Sequence, residues 1–162
     1  MLIGPPGAGK TTVGALLAAR WRVDFRDTDQ DVEARAGKPI ANIFIDDGEE
    51  AFRRMECVAV AEALGSHHGV VALGGGAVLT PQTRNLLTHQ IVVFLDVGLA
   101  AAASRVGLGV TRPLLLGNVR GQLKALLDAR RPVYHGLATF TVSTDELSVD
   151  GVADQVESRL SP

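Results

Sequence analysis

Residues 4–11 read Gly4-Pro5-Pro6-Gly7-Ala8-Gly9-Lys10-Thr11, a full match to the pattern G-x-x-x-x-G-K-[ST]. That pattern suits one task, holding a polyphosphate. The glycines let the backbone curl so that its N–H groups face inward onto phosphate oxygens. Lys10 can set its ammonium between the two terminal phosphates, and the Thr11 hydroxyl can hold a magnesium ion. A Gly-rich surface turn is the plain alternative. The flanks argue against it: apolar Met1-Leu2-Ile3 precedes the loop, and Val13 to Ala19 continues it with helical composition. In a strand–loop–helix frame the start of the helix presents partial positive charge to the anion.

Further along stand residues suited to the other half of a group transfer. Asp27-Thr28-Asp29 follows a short apolar run. Two acids spaced by one residue can divide the work, one supporting magnesium directly or through water, the other reaching an acceptor hydroxyl. The same triplet also suits a helix N-cap. Arg53 and Glu56 are three apart in a helical stretch and share a face. They are either a solvated ion pair or a guanidinium held by Glu56 and aimed at an anionic substrate, a task for which arginine's paired bonds to a carboxylate are apt. Gly74-Gly75-Gly76 permits close approach of backbone N–H groups to a small ligand. Arg130-Arg131-Pro132-Val133-Tyr134 supplies a second guanidinium near an expected helical break at the proline. The glycine-punctuated stretch from Val106 to Gly121 holds Arg112 and reads as a lid, with a tolerated surface insertion as the alternative.

The elements that must position these groups follow from alternating patterns. Met1–Ile3, Val23–Phe25, Val70–Leu73, Ile91–Leu95 and Thr139–Val142 read as short buried strands. Helical spacing covers Glu49 to Leu64, Pro81 to Leu87, Val119 to Arg130 and Val149 to Leu160, and Arg35 to Gly48 reads as a helical connection with breaks. The expected fold is α/β, a three-layer α/β/α sandwich on a five-stranded parallel sheet, with ligands at the carboxyl ends of the strands. A length of 162 residues suits one domain, spanning 1–162, and a monomer. The net charge of −2 recruits neither nucleic acid nor an anionic membrane. No apolar run approaches the ~20 residues of a membrane span, and the phosphate loop stands where a signal peptide would, so a cytoplasmic location is expected. Cys57 has no cysteine partner and is expected to be a small buried thiol. His67, His68 and His89 read as exposed loop residues rather than metal ligands, and His135 takes no role.

Taken together, these motifs resemble the shikimate kinase family. The phosphate loop, Asp27-Thr28-Asp29, Gly37 to Phe44 with Gly48-Glu49 and Phe52-Arg53, Gly74-Gly75-Gly76-Ala77, Arg112-Pro113-Leu114-Leu115, and Arg130-x-Pro-x-Tyr134 occur in that family's order and approximate spacing, from Leu2 to about Thr144. The resemblance implies a P-loop NTPase fold of the nucleoside monophosphate kinase type. The implied reaction is transfer of the γ-phosphoryl group of ATP to the 3-hydroxyl of shikimate, within aromatic amino-acid biosynthesis. It places Gly7, Ala8, Gly9, Lys10, Thr11, Thr12, Arg105 and Arg112 around ATP, and Thr11 and Asp27 around Mg2+. Asp29 would bind ring hydroxyls and act as base, so that Lys10, Asp29 and Arg112 form the catalytic set. Arg53 and Arg130 would grip the carboxylate, beside Gly74, Gly75 and Gly76. Glu56 would orient Arg53, and Phe44 and Phe52 would wall the ring. Positions 28–57 become the substrate-binding segment and 106–119 the lid. At the family's proline near the adenine this chain has Val149. Another small P-loop kinase, acting on gluconate or a nucleoside monophosphate, is the nearest rival, and a non-catalytic nucleotide-binding module is the rival from another class. Retention of Asp29, Arg112 and Arg130 speaks against that module.

Overall fold

The computed structural model describes residues 1–106 and 118–160. Five strands form one parallel sheet in the order β2-β3-β1-β4-β5: β1 (Leu2–Ile3), β2 (Phe25–Asp27), β3 (Val70–Ala72), β4 (Val93–Asp96) and β5 (Phe140–Ser143). Adjacent residues of each central strand face opposite layers, as a two-residue side-chain period requires. Leu2, Val70, Val93 and Val142 join one buried cluster with α1 (Lys10–Trp21) and α8 (Val149–Leu160). Ile3, Val71 and Phe94 join another, with Val60 and Ala63 of α4 (Gly48–Ser66) and Tyr134 of α7 (Val119–Leu137). The expected three-layer α/β arrangement is therefore present.

Between β2 and β3 the chain makes three helices, α2 (Thr28–Ala36), α3 (Ile40–Asp46) and α4. They enclose a smaller core of Val32, Ile43, Phe52 and Ala59. Beyond β3 come a 3-10 turn (Ala77–Leu79), α5 (Pro81–Leu86) and, after β4, α6 (Leu99–Arg105). No helix among the described residues is long and apolar enough to cross a membrane.

Several boundaries differ from the sequence expectation, each for a local reason. The second strand begins at Phe25, not Val23. Arg22 closes α1 in a left-handed conformation (φ 56°) and the Val23 N–H bonds back to the Ala18 carbonyl, so pairing with β3 starts only where Phe25 meets Val70. The fourth strand loses Ile91, which is 57% exposed, and Val92, and gains Asp96. The largest difference is α7, which runs through Pro132 to Leu137 instead of ending at Arg130. Pro132 forfeits the bond to the Asp128 carbonyl. Both residues are exposed, so that carbonyl is open to solvent, while buried Leu127 and Tyr134 hold the other side to the core. Cys57 is half-buried rather than buried, because it faces the margin of α4 between buried Glu56 and exposed Val58. His67 is also only half-exposed, with a ring nitrogen 3.1 Å from the Asp24 carbonyl oxygen.

Candidate active site

The nucleotide side is made by backbone. Gly7 and Gly9 hold φ of 81° and 87°, conformations that a side chain would strain, and Gly9 opens α1 without any side-chain cap. The first turn of α1 also carries no acid, whereas α2 has Asp29 and Asp31 there, and α4 has Glu49 and Glu50. The free N–H groups and positive end of α1 are thus left to bind an external anion. Lys10 Nζ donates to the carbonyls of Gly4 (2.8 Å) and Pro5 (3.1 Å) within the loop. Burial pushes its ammonium down to about 8, with Asp29 and Asp27 pulling upward and Arg130 adding to the depression. A phosphate would reverse that depression, since a desolvated cation is the group with most to gain from an anion.

Beside the loop, the Thr11 hydroxyl donates to Asp27 Oδ2 at 2.7 Å. The other oxygen, Oδ1, accepts from the Asp29 N–H at 3.0 Å and so caps α2. The capping that the sequence offered as one reading of the triplet is thus present, and the second Asp27 oxygen is left beside Thr11. On the far side of the loop, a cavity of about 180 Å³ is lined by Thr12, Arg105, Thr144, Leu147 and Val149 among others. Arg105 donates to the Gly7 carbonyl (3.2 Å) and to Thr144 Oγ1 (2.9 Å), linking loop to cavity wall. A larger cavity, about 290 Å³, lies around Met1, Trp21, Val70 and Ile91, at the amino ends of the strands. Ligands of parallel sheets sit at the opposite ends, so the chemistry is assigned to the cleft at the loop.

The acceptor side is made by side chains meeting at one turn. Its hub is Gly74-Gly75-Gly76, directly after β3. A Cβ on Gly74 would collide with Asp29 Oδ1 and Glu56 Oε1, and one on Gly76 with the Arg53 guanidinium. A Cβ on Gly75 would press on Pro6 of the phosphate loop at 3.1 Å, and the Gly75 carbonyl accepts from Arg130 Nη1 at 3.2 Å. The sequence reading expected these glycines to offer N–H groups to a ligand. Their more evident service is room, and the Gly74 N–H is already donated to buried Thr28 Oγ1 at 3.1 Å.

Charge in this cluster is strongly desolvated. Glu56 is 1% exposed and accepts from Arg53 Nη1 at 2.7 Å, so the pair is no solvated surface bridge. Burial raises the Glu56 carboxyl, though Arg53 opposes it; the Arg53 guanidinium is itself raised, because Glu56 and Glu49 outweigh its own burial. Burial also raises Asp29, reinforced by Asp27 and countered by Lys10. Asp29 Oδ1 is buried and has no hydrogen-bond partner among the described residues. A buried acceptor with raised basicity and no partner is apt to receive a hydroxyl proton. Phe44 and Phe52 stand 4.7 Å apart at 38° beside it, and the Arg53 guanidinium lies 5.2 Å from the Phe52 ring centre.

Most of the expected site residues are thus brought together where the phosphate loop meets the Gly74–Gly76 turn: Gly7 to Thr12 and Arg105 at the loop, Asp29, Arg53 and Arg130 at the turn. Arg112 lies outside the described residues. Sequence reasoning missed Tyr134 as part of the site, although it stood in the motif with Arg130; its hydroxyl donates to the same Gly75 carbonyl at 2.5 Å.

A parallel sheet with an uncapped loop–helix anion site, beside a cluster of buried and half-buried carboxylates and guanidiniums, defines a phosphate-loop kinase for a small acceptor. Comparison with known proteins narrows the class. The family model for shikimate kinase matches residues 6–161. Shikimate kinases of Thermobifida fusca and Saccharopolyspora erythraea are 58% and 57% identical, each alignment covering 99% of this chain and 93% of the relative. A solved shikimate kinase from Acinetobacter baumannii in complex with shikimate superposes with a TM-score of 0.90 at 35% identity, covering 98% of this chain and 90% of that one. A deoxyadenosine kinase from M. mycoides with bound dATP, 16% identical with a TM-score of 0.58, shares the fold. This chain belongs to the shikimate kinase family, and its activity is the ATP-dependent phosphorylation of shikimate.

Proposed function

We propose that the chain carries out this reaction through the groups gathered at the Gly74–Gly76 turn. One observation supports the reading above the others: Asp29, Arg53 and Arg130, from three separate elements, all approach a turn that itself abuts the phosphate loop. In this reading the loop amides, Lys10 and the start of α1 hold the phosphates of ATP, and Thr12 and Arg105 flank the nucleotide in the adjoining cavity. Arg53 and Arg130 bind the shikimate carboxylate, a match of planar fork to planar anion. With the acid so anchored, Asp29 accepts the proton of the attacking 3-hydroxyl as its oxygen approaches the γ-phosphorus in line with the leaving oxygen. Arg112, on the lid of about 106–119, adds positive charge to the transferring group.

Thr11 and Asp27 fit magnesium. They present hard oxygens 2.7 Å apart beside the phosphate loop, and a magnesium ion takes few protein ligands, completing its shell with phosphate oxygens and water. Bound there, the ion supplies neutralisation of charge on the phosphates. The whole chain acts as one kinase domain with substrate segment 28–57, working as a monomer in the cytoplasm.

A coupled assay for ADP release tests the reading. Turnover is expected with shikimate plus ATP and Mg2+, not with gluconate or a nucleoside monophosphate in place of shikimate, and not with the metal chelated. Equal turnover with gluconate, or turnover indifferent to chelation, would refute the acceptor or the metal assignment respectively.

A further inference from the structure

Tyr134 is one of the largest fully buried side chains, 1% exposed, with its ring 5.0 Å from Phe94 and stacked at 26°. A buried tyrosine needs a partner for its hydroxyl, and any nearby carbonyl would satisfy it. The carbonyl it uses is that of Gly75, the same one that accepts from Arg130. Arg130 and Tyr134 are four apart on α7, so they stack on one face of the helix. Between them stands Pro132, which removes one bond of the helix ladder just where the guanidinium must be aimed. We propose that Tyr134 is a positioning residue for Arg130: by holding the Gly75 carbonyl, its hydroxyl frees the guanidinium to turn onto the carboxylate of the acceptor. The inference rests on the reading of Arg130 as a carboxylate partner.

The reason lies in how the two side chains differ. Tyr134 has two rotatable bonds and a ring locked in the core, so its hydroxyl oxygen has a definite place. Arg130 is half-buried and has a long flexible stem. A carbonyl oxygen has two lone pairs, and here each has a donor. When Arg130 swings toward an incoming carboxylate, the Gly75 oxygen keeps the tyrosine as partner. Remove the hydroxyl and that oxygen either loses its last donor or retains Arg130, and both outcomes oppose acceptor binding. Among the described residues the phosphate loop sends no hydrogen bond to this carbonyl, so nucleotide binding should feel the loss far less than acceptor binding does. If the hydroxyl only satisfied a core tyrosine, its loss would lower stability without singling out the acceptor.

The test is a double-mutant cycle of Tyr134→Phe, Arg130→Ala and the two combined, with steady-state kinetics for each substrate. Tyr134→Phe keeps the ring and its stacking. It is expected to raise the shikimate KM roughly three- to tenfold, with the ATP KM and kcat within about twofold of the parent. In the Arg130→Ala background it should change the shikimate KM no further. Calorimetric titration of shikimate, referred to the fraction of protein that binds nucleotide, gives the same answer if the variant folds incompletely. An unchanged shikimate KM in Tyr134→Phe, or the same rise with and without Arg130, overturns the positioning role. If Arg130→Ala itself leaves the shikimate KM unaltered, the carboxylate reading of Arg130 falls first and this inference with it. That result is distinct from a potent Arg130→Ala beside an inert Tyr134→Phe.

Discussion

In the proposed reading the nucleotide phosphates are held by eight consecutive residues, mostly through main-chain N–H groups and the bare start of one helix. In the same reading the acceptor is held by side chains from α2, α4 and α7, which meet around a turn after β3. The first needs only local conformation. The second needs buried charge to be held in place by other buried charge, as Glu56 holds Arg53. A polyphosphate is highly charged and presents many similar oxygens, so a contiguous array of backbone donors suffices for it. A small hydroxy acid must be oriented so that one of its hydroxyls is attacked, and orientation needs rigid partners.

Separate construction implies that each side can be broken without the other. The largest effect is expected from Asp29→Asn, which keeps shape and removes basicity. Turnover should fall by a factor on the order of 10²–10³, while the nucleotide Kd measured by calorimetry stays the same. Loss of nucleotide binding in that variant would mean the two sides are not separable. Next comes Gly76→Ala, whose added methyl group occupies the space of the Arg53 guanidinium. The shikimate KM should rise on the order of tenfold, with the ATP KM steady. Gly136→Ala, on the exposed face of α7 where nothing lies within 4 Å, serves as a neutral control. An equal effect of the two substitutions would remove the steric account of the triple glycine.

The smallest effect sharpens the nucleotide side. Burial holds the Lys10 ammonium at about 8, below the ordinary 10.5 of a lysine. Below that value Lys10 already carries the charge that a phosphate requires. Above it, binding must first take up a proton, so ATP affinity should decline as pH climbs from about 8 toward 10.5, by at most roughly tenfold per pH unit. Calorimetry of the free enzyme in buffers of different ionisation enthalpy should detect proton uptake at pH 9 and almost none at pH 7. An affinity that is flat from pH 7 to 9 would show that Lys10 stays charged throughout.

What could be read in advance follows the same division. The phosphate loop is contiguous, and its glycines, lysine and threonine carry their own geometry, so the motif and the strand and helix around it were legible directly. The acidic pair at Asp27 and Asp29 was legible as a pair, yet whether it capped a helix was not; Asp27 caps α2 with one oxygen and accepts from Thr11 with the other. Strand limits slipped by one or two residues, because hydrophobicity marks the middle of a strand while its ends are set by pairing. Pro132 misled for a related reason: the penalty of a proline in a helix depends on whether the orphaned carbonyl meets water, which no local pattern records.

By itself the sequence determined the chemistry available: a phosphate cradle, two carboxylates, two guanidiniums and a triple glycine, along with the alternation of strands and helices that makes a parallel sheet. Those are properties of residue type and near-neighbour spacing. Only the tertiary structure decided that Glu56 is buried, that Gly74 and Gly76 are empty because carboxylates and a guanidinium occupy the space beside them, and that Tyr134 shares a carbonyl with Arg130. Burial and the competition for one acceptor arise between residues up to 59 positions apart, and such relations exist only once the sheet has brought them together.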